Sequence, residues 1–76
     1  MVELVEYMVK ALVDEPEAVS VSAVEGDAVT IYEVSVAPGD MGKVIGRHGR
    51  IANALRNVVK AAAMKSDQRA TVEIVS

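Results

Sequence analysis

Val44-Ile45-Gly46-Arg47-His48-Gly49-Arg50-Ile51 is the stretch from which the rest of the chain can be read. Four of the five glycines, Gly39, Gly42, Gly46 and Gly49, fall within eleven residues of one another. Glycine permits positive φ and the close approach of another backbone, at a cost in entropy that a small domain must have a reason to bear. Gly46 and Gly49 bound a turn between two segments of helical pattern. Asp40 to Ile45 reads as a short helix, with Asp40 placed to cap it and complement its dipole. Arg50 to about Lys65 reads as a longer one. Its N-terminus points at the turn, where free amides and the positive end of the dipole favour phosphate. Lys43, Arg47 and Arg50 add cationic donors at the same place. Taken alone, two glycines three apart also suit a plain helix-helix corner with surface charges.

Working outward, Ile51, Leu55, Val58 and Ala62 make an apolar stripe on the long helix, with Asn53, Arg56, Asn57 and Lys60 opposite. Ser66 to Gln68 is a turn, and Ala70 to Val75 alternates as a final strand. Upstream, Ala28 to Ala37 is rich in β-branched residues and reads as a strand ended by Pro38-Gly39. Tyr32, Val34 and Val36 share its apolar face. Val29 and Ile31 fall on the polar face, which implies a bulge or a partly covered second face. Val19 to Ala23 alternates as the strand before it, joined by the turn Glu25-Gly26-Asp27. Val2 to Asp14 reads as a first helix, with Glu3, Glu6, Lys10 and Asp14 on one narrow polar stripe. Its apolar arc spans roughly 240°, more than one sheet covers. That excess fits either a partner chain or a helix wedged in its own core. Pro16 ends the helix.

The order is helix, strand, strand, helix, helix, strand. A three-residue turn makes the first two strands antiparallel. The helical crossover lets the second and last strands lie parallel. The expectation is an α+β two-layer domain over residues 1–76: a three-stranded mixed sheet with helices on one face. Its N-terminal helix covers 2–14, and its strand-helix-helix-strand core runs from about 28 to 76.

Composition bounds the function. A chain of 76 residues forms one domain with a marginal core. It has no cysteine and a single His48, so no thiolate metal site, disulfide or cofactor site is expected. No apolar run reaches the length of a membrane span, and the acidic start does not resemble a secretory leader, so a cytoplasmic protein is expected. The net charge of −3 hides an asymmetry. Residues 1–40 carry nine acids and one base; residues 41–76 carry seven bases and two acids. The field near the turn is therefore positive, as a polyanion partner requires. A nucleotide-hydrolysing phosphate loop is absent, and no nucleophile stands beside His48, so an enzyme is not expected.

Val-Ile-Gly-x-x-Gly-x-Ile between two helices and after a strand resembles the KH signature. The element order resembles the type II form of that fold. The run from Val36 to Gly46 narrows the likeness to the small bacterial single-KH family KhpA, and it covers nearly the whole chain. The resemblance implies an RNA chaperone or regulator whose GxxG loop holds the backbone of about four nucleotides of single-stranded RNA. It also implies a homodimer, or a heteromer with a second KH protein of the KhpB (Jag/EloR) kind, linked to cell elongation and envelope homeostasis. By position, Gly46 and Gly49 let the RNA approach, and Arg47 and His48 face it. Lys43 and Arg50 flank it; Ile45, Ile51 and Leu55 suit the core first and an apolar base groove second, and Arg56 and Lys60 either extend the phosphate track or face solvent. Many KH loops carry lysine where this one has His48, whose charge is conditional near neutral pH. With only Tyr7 and Tyr32 as aromatics, base stacking has almost no platform here. That scarcity keeps open a second reading, a protein-protein assembly module with minor RNA contact.

Overall fold

The β-branched runs pair into one sheet because each has a single apolar face to bury. In the computed structural model, which describes residues 1–75, the strands are β1 (Ser20–Glu25), β2 (Thr30–Ser35) and β3 (Ala70–Val75). The helices are α1 (Val2–Lys10), α2 (Met41–Ile45) and α3 (Arg50–Met64), with single 3-10 turns at Pro16–Ala18, Pro38–Asp40 and Arg47–Gly49. The sheet order is β1-β2-β3. β1 and β2 are antiparallel, from Ser20 opposite Ser35 to Glu25 opposite Thr30. β2 and β3 are parallel, from Thr30 beside Ala70 to Ser35 beside Val75. The mixed sheet and element order expected from the sequence are both present.

Register places Val21, Val34 and Ile74 in one inner row and Ala23, Tyr32 and Val72 in the next. The helices share that side. Val5 and Val9 of α1, Val44 of α2, and Leu55, Val59 and Ala63 of α3 form one cluster with Val34, Val36, Ala70 and Val72. The largest fully buried side chains are Val5, Val9, Val34, Val44 and Val59, all valine. A β-branched side chain has few χ1 states to lose, so this aliphatic core is ordered at little entropic cost.

Several boundaries and faces differ from expectation. α1 stops at Lys10 instead of Asp14. The residue before Pro16 is pushed out of helical geometry, Glu15 having φ −120° and ψ 74°. The amides of Asp14 and Glu15 are also captured elsewhere, by the carboxylate of Asp40 at 3.2 and 3.1 Å. Asp40 itself makes no cap hydrogen bond to α2; it reaches back to the α1–β1 connection instead. Along α3, the face against the sheet is Ala52, Leu55, Val59 and Ala63, while Val58 is 44% exposed and Ala62 half-buried. Leu55 belongs to both the expected and the observed stripe. The alanines at either end of the observed one allow the helix to lie close to the strands. In β2 the pairing is one-to-one without a bulge. Ala28 and Val29 belong to the hairpin turn, closed by the Gly26 amide donating to the Val29 carbonyl at 2.8 Å. Val36 and Ala37 run on beyond the paired residues as buried, unpaired chain.

The turn between α2 and α3 depends on its glycines for two different reasons. Gly46 has φ 75°, and a Cβ there would lie 2.9 Å from the Ile51 amide nitrogen and 3.0 Å from the Ile51 Cβ. Gly49 has φ 73°, but a Cβ there would meet only the tip of Asn53, at 4.0 Å. Between them His48 also takes left-handed geometry, φ 58° and ψ 27°, a region in which histidine is enriched among non-glycine residues.

Asp40 is 3% exposed and is the buried polar residue of the core. Burial raises its pKa, but the amides of Asp14 and Glu15 and the charge of Lys43 outweigh that and hold it below the ordinary value. A depressed acid contributes stability that is present above its unfolded pKa and lost as pH falls through the folded one. Asp40→Asn is therefore expected to lower the thermal midpoint at pH 7 by about 5–10 °C. Below about pH 4 the parent is expected to lose stability faster than the variant, since only the parent has this carboxylate to protonate; thermal melts from pH 7 to 3 measure both. For the turn, Gly49→Ala is expected to cost about 1–2 kcal/mol, the left-handed penalty alone. Gly46→Ala should cost at least about 1 kcal/mol more, because Ile51 must also move. Paired urea titrations compare the two.

Candidate nucleic-acid interface

Four of the sequence-predicted residues form the turn itself. Arg47 and His48 stand exposed at its apex, and Gly46 and Gly49 are half-buried at its base. The turn is closed by the Gly49 amide donating to the Gly46 carbonyl at 3.2 Å, and the Gly46 amide donates to Gly42 at 2.9 Å. Arg50 opens α3 with its side chain in solvent. Ile45 is 38% exposed beside the turn, and Ile51 is half-buried against Gly46. These seven residues gather at one end of α3. They combine left-handed backbone, two guanidinium cations, an imidazole and a short apolar shelf.

Lys43 and Arg56 are differently engaged. The Lys43 ammonium sits 2.6 Å from the Asp14 carboxylate and 3.5 Å from that of Asp40. The hydrogen bond to Asp14, with the charges of both acids, outweighs the opposing effect of burial and raises its pKa. Its charge is thus largely offset by the two aspartates, and it braces α2 against the α1–β1 connection. Arg56, about 9 Å along the helix from Arg50 at 1.5 Å per residue, is half-buried. Its Nε donates to the Val72 carbonyl at 3.0 Å and one terminal nitrogen donates to Asn53 Oδ1 at 3.0 Å. The guanidinium therefore lies along the free edge of β3.

Asp14 and Asn53 enter this environment without having been singled out as site residues. The i,i+3 spacing of Asn53 and Arg56 was a readable signal. The contact from Asp14 to Lys43 spans 29 positions and left no local trace. At the other end of α3 lies a broad cleft, lined by Glu25, Asp27, Thr30, Asp67 and Arg69 among others. Three carboxylates against one guanidinium make it unsuited to a polyanion, whereas the turn carries no acid. Among the described residues no cluster of histidine, aspartate and glutamate could hold a metal ion, and no helix is long and apolar enough to cross a membrane.

Comparison with known proteins places this geometry. The family model described as KhpA/KhpB, KH domain, matches residues 2–74. "RNA-binding protein KhpA" of Caldanaerobacter subterraneus subsp. tengcongensis is 56% identical over 75 residues, covering 99% of this chain and 100% of that protein. The protein of the same description from Clostridium perfringens matches equally, at 56% over 75 residues. That of Borreliella burgdorferi is 45% identical, covering 97% of this chain and 90% of its own. Among solved structures, Era of Aquifex aeolicus superposes with a TM-score of 0.69 over 96% of this chain at 20% identity. This chain spans 28% of that protein, and the likeness concerns the fold alone. With its fold, its glycine turn and a family match over almost its full length, the chain belongs to the KhpA/KhpB KH-domain family.

Proposed function

We propose that this chain is an RNA-binding module that holds the backbone of single-stranded RNA at Gly46, Arg47, His48 and Gly49. The observation that carries the reading is the turn itself: an acid-free, left-handed loop with exposed Arg47 and His48 at the mouth of α3. Family membership supports it, because the relatives at 45–56% identity are described as RNA-binding proteins. In this reading Gly46 and Gly49 leave room for the phosphodiester. Arg47 and Arg50 pair with phosphates, and His48 adds a donor. Ile45 and Ile51 offer an apolar shelf to the bases. Lys43 acts mainly through the brace with Asp14, and Arg56 presents its remaining donor where the strand passes β3. Such a site clamps and releases RNA without chemistry, in keeping with a chaperone or regulator. A place in cell elongation or envelope homeostasis is the family-level expectation.

We propose further that the working unit is a dimer, of two copies or with a KhpB-like KH protein, formed through the outward ridge of α3. Ala54, Val58 and Ala61 lie exposed at helical spacing on that ridge, next to Met64, which is 70% exposed. Small residues there let a second helix approach closely, and two-fold symmetry is the commonest closed arrangement. The same ridge supports the alternative reading, an assembly module in which RNA contact is secondary. Loop and ridge are separate enough to be tested apart.

Arg47→Asp with His48→Asp places two negative charges where phosphate is expected, at exposed positions that do not support the core. Binding to an unstructured oligonucleotide should weaken about tenfold or more while the circular dichroism melt is unchanged. In the parent, the slope of log affinity against log salt should be about −1.5 to −3, the mark of two to four phosphates on a single strand. Unaltered affinity in a folded double variant would remove the loop assignment. For the ridge, Ala61→Glu is expected to convert a dimer to a folded monomer by sedimentation equilibrium. A parent that is monomeric at hundreds of micromolar, or an unfolded variant, would count against the α3 dimer.

A further inference from the structure

The two edges of the sheet are finished differently. In β3 the edge carbonyl of Val72 is taken by Arg56, so a charged side chain covers that edge. Among the described residues, β1 has nothing comparable. The phase of its ladder follows from the hairpin. Gly26 and Val29 are hydrogen-bonded across the turn, so Val24 with Ile31, Ser22 with Glu33 and Ser20 with Ser35 are the bonded pairs. Thr30 donating to the Arg69 carbonyl at 3.0 Å fixes the same phase from the β3 side. The amides and carbonyls of Val21, Ala23 and Glu25 therefore point away from the sheet, and none has a partner among the described residues.

Protein edges are commonly blunted by lysine, proline, a bulge or a covering element. β1, Ser-Val-Ser-Ala-Val-Glu, has none of these. It is six residues long and pairs one-to-one without a bulge. Every residue but Val21 is exposed, including Val24 at 44%. Ala23 is exposed although it lies in an inner row with Tyr32, so α1 does not cover that end of the strand.

Charge selects the occupant. Between Lys10 and Lys43 there are seven acids and no base. Among the described residues, only Asp14 and Asp40 of these are paired, both with Lys43. Glu15 and Glu17 precede β1, Glu25 ends it, Asp27 follows it, and Glu33 faces Ser22 from the neighbouring strand. RNA is repelled from this side. A second copy paired about Ala23 would bring two sets of these carboxylates together. We propose that the β1 edge accepts an extended, basic segment of a partner protein as a fourth, antiparallel strand. Main-chain bonds to Val21, Ala23 and Glu25 supply the affinity. Alternate apolar residues continue the inner row of Val21 and Ala23, and the intervening Lys or Arg residues share the outer face with Glu33 and lie in the field of Glu17, Glu25 and Asp27 at the ends of the strand. This surface is independent of the RNA reading and of the α3 ridge.

The test uses a nine-residue peptide alternating Val with Lys, and the same peptide with Glu for Lys, added to the isotope-labelled full chain. Amide exchange at Val21, Ala23 and Glu25 should slow at least tenfold with the lysine peptide and remain unchanged with the other. Ala23→Pro deletes an outward amide and no β1–β2 hydrogen bond, so it should abolish that protection. Should this variant fail to fold, Glu17→Lys with Glu25→Lys should weaken binding at least tenfold instead. Equal response to both peptides, protection confined to α3 or the loop, or none at millimolar peptide overturns the proposal. So does protection of these amides in the peptide-free protein that strengthens with its concentration, which would assign the edge to a second copy.

Discussion

The carboxylate of Asp40 is the constraint on which the rest of this small structure turns. It is almost wholly buried, and it is made tolerable by two backbone amides and an ammonium. A buried acid without such partners would be neutral or would not be buried at all. Because the amides belong to Asp14 and Glu15, the acid anchors the chain between α1 and β1 to the start of α2. Because the ammonium belongs to Lys43, the same group orients α2. α2 has only five residues and could not hold its own direction. The glycine turn begins where α2 ends, so the placement of Arg47 and His48 rests on a contact made by Asp40, seven residues before Arg47.

That arrangement divides the surface by charge. Apart from Glu3 and Glu6 on α1 and the pair bound to Lys43, the acids of the first half lie at the ends of β1, in its flanking turns and on β2. Of the cations of the second half, Arg47, Arg50, Arg56 and Lys60 are strung along α3 and the turn before it, while Lys65 and Arg69 follow the helix. A molecule with an overall negative charge can therefore show a polyanion a locally positive approach while refusing it elsewhere. The turn adds shape to charge. Two glycines and a left-handed histidine curl the backbone so that side chains leave from its outer rim, and the close packing of Ile51 at Gly46 leaves that curl little freedom.

Much of this was legible in the chain because the signals were local. Val-Ile-Gly-x-x-Gly-x-Ile marked the turn, alternation marked the first and last strands, β-branched residues marked the middle one, and Pro16 marked the end of the first helix to within a few residues. What could not be read were the features that depend on distant partners. Asp40 looks like a cap because it precedes a helix, and only the folded chain shows it bound 25 and 26 positions away. The roll of α3 was ambiguous because Leu55 satisfies two stripes, and alanine signals burial weakly. The role of Lys43 was obscured for the same reason as that of Asp40: a lysine near a glycine turn reads as a phosphate ligand until an aspartate from another element is found beside it.

The parallel pairing of β2 with β3 has a kinetic consequence. Thr30 lies beside Ala70, forty residues away in sequence, whereas the β1–β2 hairpin closes across a four-residue connection. Loop-closure entropy favours the hairpin first, and the long-range pair can form only once α2 and α3 have folded back across the gap. On the ribosome the order is stricter, since β1 and β2 emerge before β3 exists. During that interval the central strand of the finished sheet is itself an edge, with its β-branched inner face still uncovered. The synthesis of β3, Ala70–Val75, therefore ends the period in which the nascent protein is most open to mispairing.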